Sequence, residues 1–251
     1  MPGPIRYRLL LTNILILLLI SLSNAFSAEW RISPIRVELS PQDKSASITV
    51  FNEDKSPINF QVKAMSWTQD ENGKDNYVES EDIIFFPKVF TLEPNKERLI
   101  RIGLKNINPV KEKTYRLFVE EIPSSEKKEG VAVQIALRFG IPIFVKPLKE
   151  ETKWEIINKK FEKGNFEFQI ENKGNQHFNI HYVKIKGYVD EKSAKEVLSK
   201  EIKGWYVLSG SKRRFSEKIE DCSKIKFLTF QIVADKFTTE EKIEVKQENC
   251  F

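Results

Sequence analysis

Hydrophobic and polar residues alternate along most of this chain. From Val131 to Val145 every second position is apolar: Val131, Val133, Ile135, Leu137, Phe139, Ile141, Ile143 and Val145. Successive side chains of a strand point to opposite sides of its sheet, so this segment presents one unbroken hydrophobic face. The same alternation places Ala46, Ile48 and Val50 against Ser47 and Thr49, and recurs at Phe166, Phe168 and Ile170. No window of helical periodicity with caps competes, and the chain is expected to be all-β.

In the first half the expected strands are "WRISPIRVEL", "SASITVFN", "INFQVKAMSWTQ", "IIFFPKVFTLEP", "RLIRIGLKN", "KTYRLFVEEIP" and the Val131–Val145 run, separated by turn-rich segments such as "SPQDKS" and "DENGKDN". Strands at this spacing fit an immunoglobulin-like sandwich, with Phe60 and Trp67 expected to help fill the space between its sheets. A charged connection, "LKEETKW", follows Pro147, and a second series of alternating segments begins at Trp154. The expected organisation is a first sandwich over residues 29–148 and a second β-sandwich over 149–251, with the boundary between Leu148 and Thr152.

The first residues stand apart. Arg6 and Arg8 precede the mostly apolar run Leu9–Leu22, and small residues, Ser23 and Ala25, follow. This is the pattern of a secretory leader, expected over residues 1–28 with cleavage near Ala25 or Ala28. The run falls short of the roughly 20 residues a membrane-spanning helix needs. Without Arg6 and Arg8 the chain carries 39 basic and 36 acidic residues, interspersed throughout, which gives no reason to expect a nucleic-acid partner. The densest basic cluster, Lys212, Arg213 and Arg214 in "SKRRF", reads as a charged turn. Cys222 and Cys250 form an even pair in an exported chain; a disulfide fits that compartment, but their spacing does not decide it.

Candidate chemistry is sparse. The two histidines, His177 and His181, would share a strand face, but no cysteine or convincing carboxylate partner lies near them in sequence, so they read as structural and not as metal ligands. Glu120 and Glu121 are adjacent, and neighbours on a strand point to opposite faces, which argues against a shared acid–base task. "KGNFEF" and "ENKGNQ" read as hairpin turns, and no phosphate-binding glycine loop occurs. The expectation is a protein that is not an enzyme, with no cofactor, metal or small-molecule substrate.

The alternating run therefore carries the functional question. It is longer than the five or six residues typical of a strand. Its other face holds Ala132, Gln134, Ala136, Arg138, Gly140 and Pro142, with one charge among them, where exposed edges usually carry several. Pro142 cannot donate a ladder hydrogen bond and is expected at an edge or strand end. Such an edge invites a partner strand.

At these residues the chain resembles the PapD-like family, the periplasmic chaperones of pilus and fimbrial assembly. The resemblance is carried by "SPIRVELSPQDKSASITVFN", "LEPNKERLIRIGL", "YRLFVEEIP" and "VQIALRFGIPIFVKP", and more loosely by "NKGNQHF" and "QIVADK". It implies two immunoglobulin-like sandwiches set at an angle with a cleft between them, located in the periplasm. It further implies partners of two kinds, pilin subunits and an outer-membrane usher; self-association is one way the edge of the free chaperone could be covered. The chaperone lends the subunit a strand by β-strand addition, the donor-strand complementation that is a standard example of this mode. Val133, Ile135 and Leu137 match the lending residues, with Val131 and Phe139 as extensions.

Arg36 matches the first of two basic residues that anchor the subunit's terminal carboxylate, a task suited to a guanidinium. The second, a lysine in the best-known members, falls on Pro142, which suggests a divergent, archaic-like branch. Arg101 and Arg116 are the candidates to replace it, with Arg138 behind them. Glu121, Lys146 and Asp235 match an interdomain charge cluster. The competing reading is an exported structural or adhesive protein with two immunoglobulin-like domains, in which the run would be ordinary core.

Overall fold

Alternation dictates sandwiches, because each strand has one apolar face to bury and two sheets can bury it against each other. The structure, a computed structural model, describes residues 30–105, 109–123, 136–190 and 195–250. Its first half contains β1 (Trp30–Ser33), β2 (Val37–Leu39), β3 (Ser45–Asn52), β4 (Ile58–Gln69), β5 (Asp75–Glu79), β6 (Ile83–Phe86), β7 (Val89–Leu92), β8 (Glu97–Leu104), β9 (Lys113–Ile122) and β10 (Arg138–Val145). One sheet has the order β1-β3-β8-β6, and the other runs β2-β10-β9-β4-β5 with β7 also on β4. Ile48, Val50, Phe60, Ile100, Leu117, Ile143 and Val145 are fully buried between them.

Two segments expected as single strands are each cut at a proline. "WRISPIRVEL" splits into β1 and β2 around Pro34, and "IIFFPKVFTLEP" into β6 and β7 around Pro87. At both places the chain leaves one sheet and enters the other. A proline has no amide hydrogen with which to continue a ladder, so it suits a corner where the strand changes partners.

The second half contains β11 (Trp154–Glu162), β12 (Asn165–Asn172), β13 (Phe178–Tyr188), β14 (Glu196–Lys203), β15 (Tyr206–Val207), β16 (Lys212–Lys218), β17 (Phe227–Ala234) and β18 (Thr238–Glu244). A sheet of order β11-β12-β16 packs on one of order β14-β13-β17-β18, with β15 also on β13. The core between them is aromatic, with Phe166, Phe168, Phe178, Phe215 and Phe230 buried. "SKRRF" is not a turn: Lys212–Phe215 opens β16, where Arg214 pairs with Glu167 of β12 and Lys212 lies 3.7 Å from Glu171. Cys222 and Cys250 are joined by a disulfide with their Cα atoms 5.7 Å apart, tying two short 3-10 turns together at the end of the chain.

Candidate functional site

A small third core joins the two sandwiches. Trp67, Phe144 and Leu208 are buried together, with Tyr206 against them. Trp67 thus does not fill the first sandwich: it lies seven residues from Phe60 on β4, and an odd separation turns the two side chains to opposite faces. Arg116 of β9 stacks over the Trp67 ring, 4.0 Å from guanidinium to centroid, with Trp205 and Tyr206 at 5.7 and 5.8 Å. Cation–π contacts of this kind strengthen as water is excluded. Burial pulls Arg116 below the ordinary arginine range, against the opposing pull of Tyr77, Asp75 and Tyr206.

The β4–β5 hairpin also docks on the second sandwich. Gln69 donates to the Tyr206 carbonyl and accepts from the Leu208 amide, both at 3.0 Å, and Trp205 donates to Asp75 at 3.0 Å. On the other side of the joint, Glu112 Oε2 accepts from the His177 amide at 2.8 Å and bonds His177 Nδ1 at 2.7 Å. Both side chains are fully buried, and the His177 ring stacks on Phe144 of β10 at 3.6 Å. The joint therefore grips the C-terminal part of β10 directly.

What β10 does at its other end follows from the phase of its hydrogen bonds. The Glu121 amide donates to the Leu137 carbonyl at 2.9 Å, so odd-numbered residues of this segment turn their main-chain groups to β9. Even-numbered residues turn theirs the other way, and the Lys146 amide accordingly donates to Leu39 at 2.9 Å, on the β2 side. β2 pairs with β10 only from Ile143 to Val145. From Arg138 to Pro142 the strand has β9 on one side and, among the described residues, no paired strand on the other. Pro142 is inside β10 and not at its end, but its nitrogen faces the unpaired side, where no ladder bond to β9 is lost.

The residues near this open edge divide between two tasks. Ile141, Ile143 and Val145 are buried in the first core. Leu137 is partly buried against that core, and Phe139 keeps 41 % of its surface exposed while its ring meets Trp30 edge-on at 4.7 Å. Val131, Val133 and Ile135 lie outside the described residues, as does the expected leader.

Charges collect around β2 and the end of β10. Arg36 pairs with Glu38 and lies over the Phe144 ring at 5.1 Å. Lys146 pairs with Glu38 at 2.6 Å and approaches Glu150 at 3.7 Å. Burial pushes the Glu38 carboxyl up, but Lys146 and Arg36 outweigh it and hold the group below the usual carboxylate range. Lys236 bonds the Gln176 side chain and is near enough to Arg36, Glu112, Asp235 and Glu150 to feel their charges; burial, the largest influence, brings it below the usual lysine range.

Not every expected grouping assembles. Arg101 stands on the outer face of β8, in the sheet that does not contain β10. Arg116 is committed to the joint, and Arg138 pairs with Glu120 at 2.7 Å and stacks on Phe118. Glu121, Lys146 and Asp235 do not meet as a cluster. Register puts Glu121 opposite Leu137, nine residues from Lys146 and so about 30 Å away along an extended chain. Asp235 instead accepts from the Asn179 amide at 2.8 Å. The acid that register places opposite Lys146 is Glu112, which sequence reasoning passed over; its partner is His177, expected as a structural histidine and here buried. His181 is exposed, and among the described residues no group of three or more His, Cys, Asp or Glu could hold a metal.

Comparison with known proteins agrees with this geometry. The model of the pili and flagellar-assembly chaperone PapD N-terminal domain matches residues 30–150. The chaperone protein FanE of Escherichia coli is 27% identical over 177 residues, which span 66% of this chain and 71% of FanE. A chain of the CsuC–CsuE chaperone–tip adhesion subunit pre-assembly complex, from the archaic chaperone-usher Csu pili of Acinetobacter baumannii, superposes with a TM-score of 0.58 at 23% identity, covering 86% of this chain and 98% of that one. The complex of Salmonella enterica SafA pilin with the SafB chaperone gives 0.55 at 14% identity, covering 88% and 98%. Residues 30–150 thus carry the PapD N-terminal domain of pilus-assembly chaperones, and the chain as a whole shares the two-sandwich fold of those structures.

Proposed function

We propose that this protein is a periplasmic chaperone that captures newly exported pilin subunits by lending them a strand and hands them on to an outer-membrane usher. The observation that carries this reading is the half-paired β10: from Arg138 to Pro142 its outward main-chain groups have, among the described residues, no strand beside them. The apolar alternation continues N-terminally through Leu137, Ile135, Val133 and Val131. Those side chains are the lending residues, each contributing very roughly 1.5–3 kcal/mol when buried in a subunit's groove, before the costs of association. Phe139 is assigned to the chaperone's own side of the boundary, since Trp30 holds it. Main-chain pairing supplies affinity that tolerates different subunit sequences. Function here needs no catalytic group.

Arg36 is the proposed anchor of the subunit's terminal carboxylate, and Lys236, bonded to the Gln176 side chain, is the proposed second cation. The two sandwiches, meeting between Leu148 and Thr152, act as domains that shape the cleft around this pair. The test is substitution of Ile135 by Asp. Capture of a co-exported pilin subunit should be abolished while the circular-dichroism spectrum and unfolding midpoint stay at wild-type values. Retained capture overturns the lending assignment and favours a structural or adhesive protein in which the run is core.

A further inference from the structure

The open edge of β10 stops abruptly, and two residues stop it. A strand added in line with β2 would run parallel to β10, as β2 does. In parallel pairing, the residue opposite Ile141 would bond to the carbonyl of residue 140 and the amide of residue 142. The amide is missing, because residue 142 is a proline, and the Gly140 carbonyl already accepts from Arg116 Nη1 at 2.8 Å, so that a strand bonding there must share or displace the guanidinium.

Arg116 has strong reason to keep that carbonyl. Its Nε and Nη2 atoms are buried without hydrogen-bond partners, the rings of Trp67, Trp205 and Tyr206 surround it, and Tyr77 and Asp75 act on its charge. A partner strand that displaced it would strand a buried guanidinium without its acceptor, which is among the more costly events in a protein interior. Gly140 fits the same arrangement: a Cβ there would fall 2.8 Å from the Phe118 ring, so the position stays without a side chain under the Arg116 and Phe118 layer.

We propose that Arg116 and Pro142 form an edge stop that fixes the register of the captured strand. The inference rests on the strand-lending reading above. Pairing is allowed at the outward groups of Arg138 and at the Gly140 amide, and is denied at the next step. Extrapolating the β2 ladder places Arg36 opposite Pro142, so a strand halted at Gly140 ends beside the Arg36 guanidinium. The stop thus delivers the chain end to its anchor. Arg116 acts here as a positioning residue: it holds Gly140 and touches no part of the partner.

The experiment uses the full chaperone co-exported with a pilin-like subunit encoded beside its gene. Pro142→Ala introduces a reporter amide, and its hydrogen exchange is compared in the free protein and the complex, with and without Arg116→Met. In the single variant the new amide should exchange equally fast in both states, because Arg116 still occupies Gly140. In the double variant it should slow by at least about tenfold on capture, since both bonding groups have returned. The Arg36→Ala affinity loss should also shrink in the double variant relative to wild type, because the chain end is no longer held in register; a purely structural role for Arg116 would leave that ratio unchanged. Protection of residue 142 in the single variant overturns the proposal, as does a captured double variant with no added protection. Should Arg116→Met not fold, the single variant alone decides between these outcomes. Failure of wild type to capture any subunit removes the strand-lending reading itself, whereas capture with the wrong exchange pattern removes only the stop.

Discussion

Removing the Glu112 carboxylate should loosen the joint that holds β10 against the second sandwich. Its side chain is 1% exposed and that of His177 is 2% exposed. One oxygen serves two donors, the His177 amide at 2.8 Å and Nδ1 at 2.7 Å. In Glu112→Ala both donors remain buried without an acceptor, each worth about 1–3 kcal/mol, and breaking a buried pair typically costs about 3–5 kcal/mol. We expect a loss of about 4 kcal/mol, which at a urea slope of about 2.5 kcal/mol/M moves the midpoint by roughly 1.6 M. Glu112→Gln keeps a neutral acceptor and should lose less, about 1–2 kcal/mol. Because the pair crosses between sandwiches, tryptophan fluorescence from Trp67 and Trp205 at the joint should change at lower urea than the far-ultraviolet signal. Adding His177→Ala to Glu112→Ala should cost less than His177→Ala does in the wild-type background, since the Nδ1 contact is already gone and only the stacking on Phe144 remains to be lost. An alanine variant within about 0.5 kcal/mol of wild type, with coincident transitions, would refute this account of the joint.

Three further outcomes follow from the same geometry. Gly73 has φ of +78° and approaches the second sandwich so closely that a Cβ would lie 2.8 Å from the Lys212 carbonyl; Gly73→Ala should lose about 1–3 kcal/mol and expose the β4–β5 hairpin to limited proteolysis, and wild-type resistance would contradict the contact. Replacing Cys222 and Cys250 by serine opens a crosslink between residues 28 apart in sequence; by loop entropy this should cost about 3–4 kcal/mol in reversible unfolding, and a loss below about 1 kcal/mol would show that the ends are held by other contacts. Glu38, held below the usual carboxylate range, adds stability that is present above its unfolded pKa of about 4.3 and is lost as pH falls through the lower folded value; Lys146→Met should flatten the stability profile below pH 5, and an unchanged profile would remove Lys146 as the cause.

The alternation made both sandwiches legible, because facing the core or the solvent is decided residue by residue along a strand. Sheet switching was not, since nothing local distinguishes a proline that ends a strand from one that hands the chain to the other sheet, as Pro34 and Pro87 do. β5 and β14 escaped for another reason: "DNYVE" and "EVLSKEIK" carry little apolar alternation and lie at sheet edges, where backbone pairing needs less from side chains. At the site, the open edge was visible as an apolar run with few guarding charges. The joint was hidden, because its partners come from far apart: Glu112 and His177 are 65 residues apart, and Gln69 and Leu208 are 139 apart. A family motif pointed to Glu121, Lys146 and Asp235, but register along β9 and β10 carries Glu121 to the wrong end of the strand. Arg116 appeared as one cation among several, and only its depth and its bond to Gly140 give it a role of its own.

The most direct test of the central claim is amide hydrogen exchange at Arg138 and Gly140 in the free protein and in a complex with a co-exported pilin-like subunit. Both amides face the unpaired side of β10. The account predicts fast exchange when the protein is free and strong protection in a one-to-one complex, with the odd-numbered neighbours protected by β9 in both states. Slow exchange at Arg138 and Gly140 in the free monomer, with no subunit captured, would contradict it and make this edge part of a closed structural domain.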